Sequence, residues 1–231
     1  MKNYYVNQKK EKDFFAKFSA NTTIIFITVL ISLIFFLLQF IDNKFINYFA
    51  LYPKNILAGK YLWTLISHIF VHGGIGHLLI NMFALFSLGG LCEKIIGRKR
   101  YIWFYLIAGL IAGLLSSIMA GFFGQGAWIK VFGSPEIYMV GASGAIFGIA
   151  GLFVMLLPKV RFTIIFLPFF SLPAYIMVPI VLLLTWLATI AANLPIGNVA
   201  HLGGFITGIA YGYYLRIKYR KKVVMLEKFF R

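Results

Sequence analysis

The sequence predicts an all-α fold, a polytopic membrane protein built as a six-transmembrane-helix bundle with both termini in the cytoplasm. Three observations carry that prediction. Of 231 residues, 61% are hydrophobic and only 12% charged, a balance too apolar for a soluble domain of this length. The apolar residues gather into charge-free runs of about the length needed to cross a bilayer. The Lys and Arg residues fall in blocks between those runs, so the net charge of +16 reads as membrane orientation and not as a nucleic-acid surface.

Residues 1–21 form a polar, basic segment with five lysines, expected to stay in the cytoplasm. The transmembrane domain is expected over 22–215, with a basic cytoplasmic tail at 216–231. Residues 22–41 make the first span, rich in Ile, Leu and Phe. No short apolar stretch with a small-residue cleavage site precedes it, so no removable signal is expected. Residues 42–67 form a loop whose Tyr48, Tyr52, Tyr61 and Trp63 suit the headgroup layer. The second span is 73–91, closed by Glu93, Lys94, Arg98, Lys99 and Arg100, and the third is 101–123. A short loop leads to the fourth, 139–158, which is uncharged and stopped by Pro158. The run 162–193 carries Pro168, Pro173 and Pro179 and is too long for one straight helix. It reads as an interfacial or re-entrant lead-in over 162–172 and a fifth span over 173–192, with two spans as the alternative. The sixth span, 199–215, ends in a cluster of cations.

Six spans with the N-terminus inside put 18 of the 22 Lys and Arg residues in the cytoplasm and leave Lys44, Lys54, Lys60 and Lys130 outside. Seven spans would move the seven-cation tail outward, so the positive-inside rule selects six. The single cysteine, Cys92, excludes an internal disulfide and any multi-cysteine metal site.

With alternating orientation, spans two, four and six all start at the outer face, and their starts hold the uncharged polar residues. His77 and Asn81 share one face of span two, Ser143 opens span four, and His201 opens span six. Gly144 and Gly148 of span four match Gly204, Gly208 and Gly212 of span six, small residues that let helix backbones approach closely. Such an approach brings Ser143 within reach of His201. A serine and a histidine so placed are a nucleophile and its base. The Asn81 amide, the His77 ring N–H and the Ser143 backbone N–H are available to stabilise an oxyanion. No carboxylate accompanies them, so the expectation is a Ser/His dyad, with Phe147 packed on the His201 ring where an acid would stand in a triad. Gly141 and Gly144 leave room around the hydroxyl. A metal is not expected: His68 and His72 are four residues apart, but no HExxH motif or nearby carboxylate completes a site. No cofactor is expected either.

These residues resemble the rhomboid family of intramembrane serine proteases, over about 63–208. Gly141-Ala142-Ser143-Gly144 is similar to the family's GxSG motif, Ala200-His201-Leu202-Gly203-Gly204 to its AHxxG motif, and His72 to Asn81 to its second-helix pattern. The resemblance implies Ser143 as nucleophile, His201 as base, His77 and Asn81 in the oxyanion hole, and Gly141, Gly144, Phe147 and Gly204 as site support. It also implies a minimal six-span bacterial form in the cell membrane, with a water-filled cavity opening at the outer face and transmembrane proteins as substrates. One departure is the loop, where Trp63 is followed by Thr64 and the family often has Arg. Two other classes stand beside the protease: an inactive relative that only binds membrane clients, and a small transporter using intramembrane histidines. The first typically lacks the Ser or the His; the second should carry an inverted repeat, which this sequence lacks. The sequence does not give the oligomeric state.

Overall fold

The computed structural model describes residues 19–164, 167–192 and 196–230. It contains α1 (Ala20–Ile41), α2 (Ile75–Ile96), α3 (Arg98–Phe123), a short α4 (Ser143–Leu156), and a hairpin of β1 (Arg161–Ile164) and β2 (Leu167–Pro173). There follow α5 (Ala174–Ala192), α6 (Asn198–Lys218) and α7 (Arg220–Phe229). By length and composition α1, α2, α3 and α5 can each cross a membrane. The helical class therefore holds; the basic segment expected over 1–21 falls outside the described residues up to position 18.

The start of α1 is fixed twice over. Ser19 Oγ accepts the Thr22 N–H at 3.0 Å, and the Glu93 carboxylate accepts the N–H groups of Ala20 and Asn21 at 2.8 and 2.9 Å. An acid at a helix N-terminus satisfies free donors and opposes the positive end of the dipole. The Asn21 side chain, buried between helices, donates to Leu85 O and accepts from the Tyr101 hydroxyl at 2.6 Å, which joins α1, α2 and α3. Glu93 thus ties the end of α2 to the start of α1. Its oxygens serve the α1 backbone, and Arg100 donates to the Tyr219 hydroxyl.

The fourth span departs most from expectation. In place of a helix over 139–158, the helix begins at Ser143 and has 14 residues, about 21 Å at the usual rise and short of a bilayer core about 30 Å thick. Its missing first turns are replaced by extended chain. Met139 exchanges two backbone hydrogen bonds with Leu51, and the Gly141 N–H donates to His68 O at 2.9 Å. The loop before α2 thus serves as the pairing partner that holds residues 139–141 out of a helix. Ser143 is left at the head of a helix that starts inside the bundle.

That loop is itself ordered by local contacts. Trp63 Nε1–H donates to Tyr48 O, and Tyr61 lies edge-on to both Tyr48 and Trp63. Thr64, which follows Trp63 in the loop, is buried and donates its hydroxyl to Tyr61 O at 2.7 Å. Across the loop mouth Lys54 meets Glu136 at 2.9 Å, and that carboxylate holds the ammonium above the ordinary lysine range.

The expected lead-in over 162–172 is an antiparallel hairpin in which Phe162 pairs with Leu172 and Thr163 with Ser171. Prolines and β-branched residues make that stretch a poor helix, and strand pairing supplies its backbone partners. Helix α4 lies at the centre of the molecule, buried along most of its length by Leu85, Tyr105 and Ala108 of its neighbours.

Candidate active site

The register of α4 against α6 is set by backbone contact. A Cβ on Gly204 would stand 1.8 Å from Gly144 O, and one on Gly208 would stand 2.0 Å from Gly148 O. The helices therefore touch with no side chain between them. One turn from that contact, Ser143 Oγ lies 2.8 Å from His201 Nε2. The contact continues to the far end, where Arg216 Nη1 donates to Met155 O at 2.8 Å. The two helices run parallel and stay in contact from end to end.

His201 is 7% exposed, and the Phe147 ring stacks on it at 4.5 Å and 24°. Its Nδ1 is buried and makes no hydrogen bond among the described residues. Stacking and the Ser143 contact therefore orient this ring, and no carboxylate takes part in those contacts. With Nε2 unprotonated, the Ser143 hydroxyl points its proton at the ring and leaves its oxygen lone pairs free to attack.

The second wall comes from α2. Gly141 has φ +119°, a left-handed conformation open to glycine and strained for other residues. A Cβ there would also lie 2.8 Å from His77 Cε1 and 3.3 Å from Asn81 Nδ2. The backbone just before Ser143 is thus seated on the two α2 side chains. Asn81 is buried and its Nδ2 has no partner among the described residues, while His77 is exposed. The first N–H groups of a helix have no intrahelical acceptor, and Ala142 supplies no capping side chain at the α4 start. Amide, imidazole and backbone donors face one another beside a half-buried serine hydroxyl. Such a set can hold negative charge on a carbonyl oxygen while that hydroxyl attacks its carbon.

Two supports were not legible in the sequence. Ser32, in the middle of the first apolar run, donates to Phe70 O and lies 2.9 Å from His72 Nδ1, so its oxygen accepts that ring N–H. The buried His72 ring then lies edge-on to His77 at 5.1 Å and props it from behind. His68, buried and bonded through Nδ1 to Thr64 O, carries the carbonyl that accepts the Gly141 N–H. The only sequence signal for Ser32 is its four-residue spacing from Thr28, a second buried hydroxyl on the same face of α1. Among the described residues no group of three or more His, Cys, Asp or Glu is arranged to hold a metal ion.

A model of the rhomboid domain matches residues 59–218, more than half of the chain. The chain belongs to the rhomboid family. It is 33% identical over 171 residues to RHOMBOID-like protein 4 of Arabidopsis thaliana, an alignment covering 71% of this chain and 37% of that protein. It is 31% identical over 175 residues to the mitochondrial Rhomboid protein 1 of Saccharomyces cerevisiae, covering 74% and 46%. With the rhomboid protease GlpG of Haemophilus influenzae it shares 26% identity over 204 residues, covering 87% of this chain and 94% of that one. The chain thus spans less than half the length of the plant and yeast rhomboids, but the similarity to GlpG runs nearly from end to end. All four of Ser143, His201, His77 and Asn81 fall inside the rhomboid domain match.

Proposed function

We propose that this chain is an intramembrane serine endopeptidase that hydrolyses peptide bonds in or near the transmembrane helices of other membrane proteins. The observation that carries the reading is the 2.8 Å approach of Ser143 Oγ to His201 Nε2, near the Asn81 amide, whose Nδ2 has no partner among the described residues. Ser143 Oγ attacks the scissile carbonyl carbon as His201 Nε2 takes its proton. The oxyanion is held by the Asn81 amide, the His77 ring N–H and backbone N–H groups at the start of α4. As the C–N bond breaks, the imidazolium gives its proton to the departing amine, and the new N-terminus leaves. A water then attacks the acyl-serine, His201 accepting its proton and returning one to Ser143 Oγ. The carboxylate product is released and both side chains are restored.

Six spans, with both termini cytoplasmic and Ser143 near the outer face of the cell membrane, remain the topology that best fits the Lys and Arg partition. In that frame α4 is short because its serine must sit below the surface, and α6 crosses as the sixth helix. Substrates are transmembrane proteins. Their helices satisfy their own backbone in lipid, so a substrate helix must unwind locally before Ser143 can reach a carbonyl, most easily where water meets the outer end.

The test is labelling of the purified chain by a fluorophosphonate probe, alongside Ser143→Ala and cleavage of a model single-span substrate. Labelling and cleavage that both vanish in Ser143→Ala fit the protease. A folded chain that neither labels nor cleaves is instead a client-binding relative.

A further inference from the structure

The end of the bundle away from Ser143 gathers positive charge around one aromatic ring. Helix α6 stops at Tyr219, and α7 starts immediately after it. Arg100, in the first turn of α3, donates from Nη2 to the Tyr219 hydroxyl at 2.8 Å, with its guanidinium carbon 5.1 Å from the ring centre. Lys218 Nζ and Lys222 Nζ each lie 5.9 Å from the same centre. Three cations from three helices thus converge on a neutral side chain. The ring quadrupole attracts each of them but cannot offset their mutual repulsion. The nearby carboxylates are engaged: Glu93 holds the α1 backbone, and Glu227 pairs with Arg216 at 2.7 Å. A convergence of cations that no carboxylate among the described residues pairs with fits an anion with several acceptor oxygens.

Helix α7 indicates where that anion comes from. It lies back across the end of the bundle, with Val223 buried and Leu226 and Phe230 packed on the core. Its other side exposes Lys221, Lys222 and Lys228 together with Met225, 70% exposed, and Phe229, 83% exposed. Cations mixed with bare apolar side chains on one short helix, at the level where α6 ends and α3 begins, suit the headgroup layer of a bilayer. An anion anchored in that layer is a phospholipid phosphate.

We propose that Arg100, Lys218 and Lys222 around Tyr219 form a binding site for the phosphate of an anionic phospholipid, with Met225 and Phe229 seated in the same leaflet. A cation close to an anionic surface is worth about fivefold in binding, so losing two should cost roughly thirtyfold. The test titrates the purified full chain, in neutral detergent, with short-chain phosphatidylglycerol or phosphatidylcholine, reading bound lipid by native mass spectrometry and the unfolding temperature in parallel. Phosphatidylglycerol should be retained and should raise the unfolding temperature, and phosphatidylcholine should do neither. Lys218→Gln with Lys222→Gln should weaken phosphatidylglycerol by roughly thirtyfold, whereas Lys60→Gln with Lys130→Gln, the same loss of charge elsewhere on the surface, should leave it unchanged. Should the first pair disturb folding, Lys222→Gln alone, on an exposed side chain, should still cost about fivefold. Equal binding of the two lipids, equal loss in the control pair, or displacement of phosphatidylglycerol by an equal concentration of inorganic phosphate would each overturn the proposal.

Discussion

Replacing Gly204 by alanine puts a methyl group where the α4 backbone already stands. The new Cβ would lie 1.8 Å from Gly144 O and 2.8 Å from its carbonyl carbon, against atoms of a helix that cannot rotate away as a side chain would. Non-bonded carbon and oxygen need about 3.2 Å or more, so α4 and α6 must part by over ~1 Å at that level. Ser143 and His201 lie one turn away on the same two helices, and their 2.8 Å contact would open to about 4 Å, beyond a hydrogen bond. Misplacement of that size costs about a hundredfold in rate. Stability should change far less, because overpacking costs about 1–3 kcal/mol and alanine regains about 1 kcal/mol of helix preference over glycine. The assay is the rate of fluorophosphonate labelling beside the unfolding temperature. Gly90→Ala in α2 serves as the control, since its Cβ would meet only Asn21 Nδ2, at 4.0 Å. A folded Gly204→Ala chain labelled within about twofold of the unaltered one would refute the idea that backbone contact sets the dyad.

Three further outcomes follow from the proposed chemistry. Ser143→Ala and His201→Ala should each lower cleavage by about 10⁴-fold or more, and the double variant should be little worse than either, because a nucleophile and its base act as a unit; additive losses would show that they do not. Asn81→Ala should slow cleavage by about 10²-fold while leaving Ser143 open to the probe, since His77 and the backbone donors persist; an unchanged rate would remove Asn81 from the site. A single-span substrate whose outer-half Gly and Pro residues are changed to Leu should be cut more slowly by up to about a hundredfold, because those residues lower helix preference by about 1–3 kcal/mol; an equal rate would mean that unwinding does not limit the reaction.

By itself the sequence determined where the long apolar helices lie and which side chains are candidates for chemistry. Charge-free runs mark α1, α2, α3 and α5 because a bilayer sets both their length and their lack of ions. The four-residue spacing of Gly204, Gly208 and Gly212 marks the face on which α6 meets α4, because only glycine lets two backbones touch. What the tertiary structure decided were features whose partner is distant in the chain. Residues 139–142 look like more of an apolar helix. They stay out of a helix because Leu51 and His68, more than seventy residues earlier, offer Met139 and Gly141 backbone pairing that an isolated segment lacks. Glu93 sits among cations in sequence, but its carboxylate reaches the first turn of α1, where free N–H groups attract it. Ser32 is one hydroxyl among aliphatic side chains, and it acquires a role only because α1 packs where His72 needs an acceptor. Periodicity and composition record what each segment buries; they do not record which distant atom completes its hydrogen bonds, and inside a bilayer, where the backbone must find its partners within the protein, those bonds decide how the segments meet.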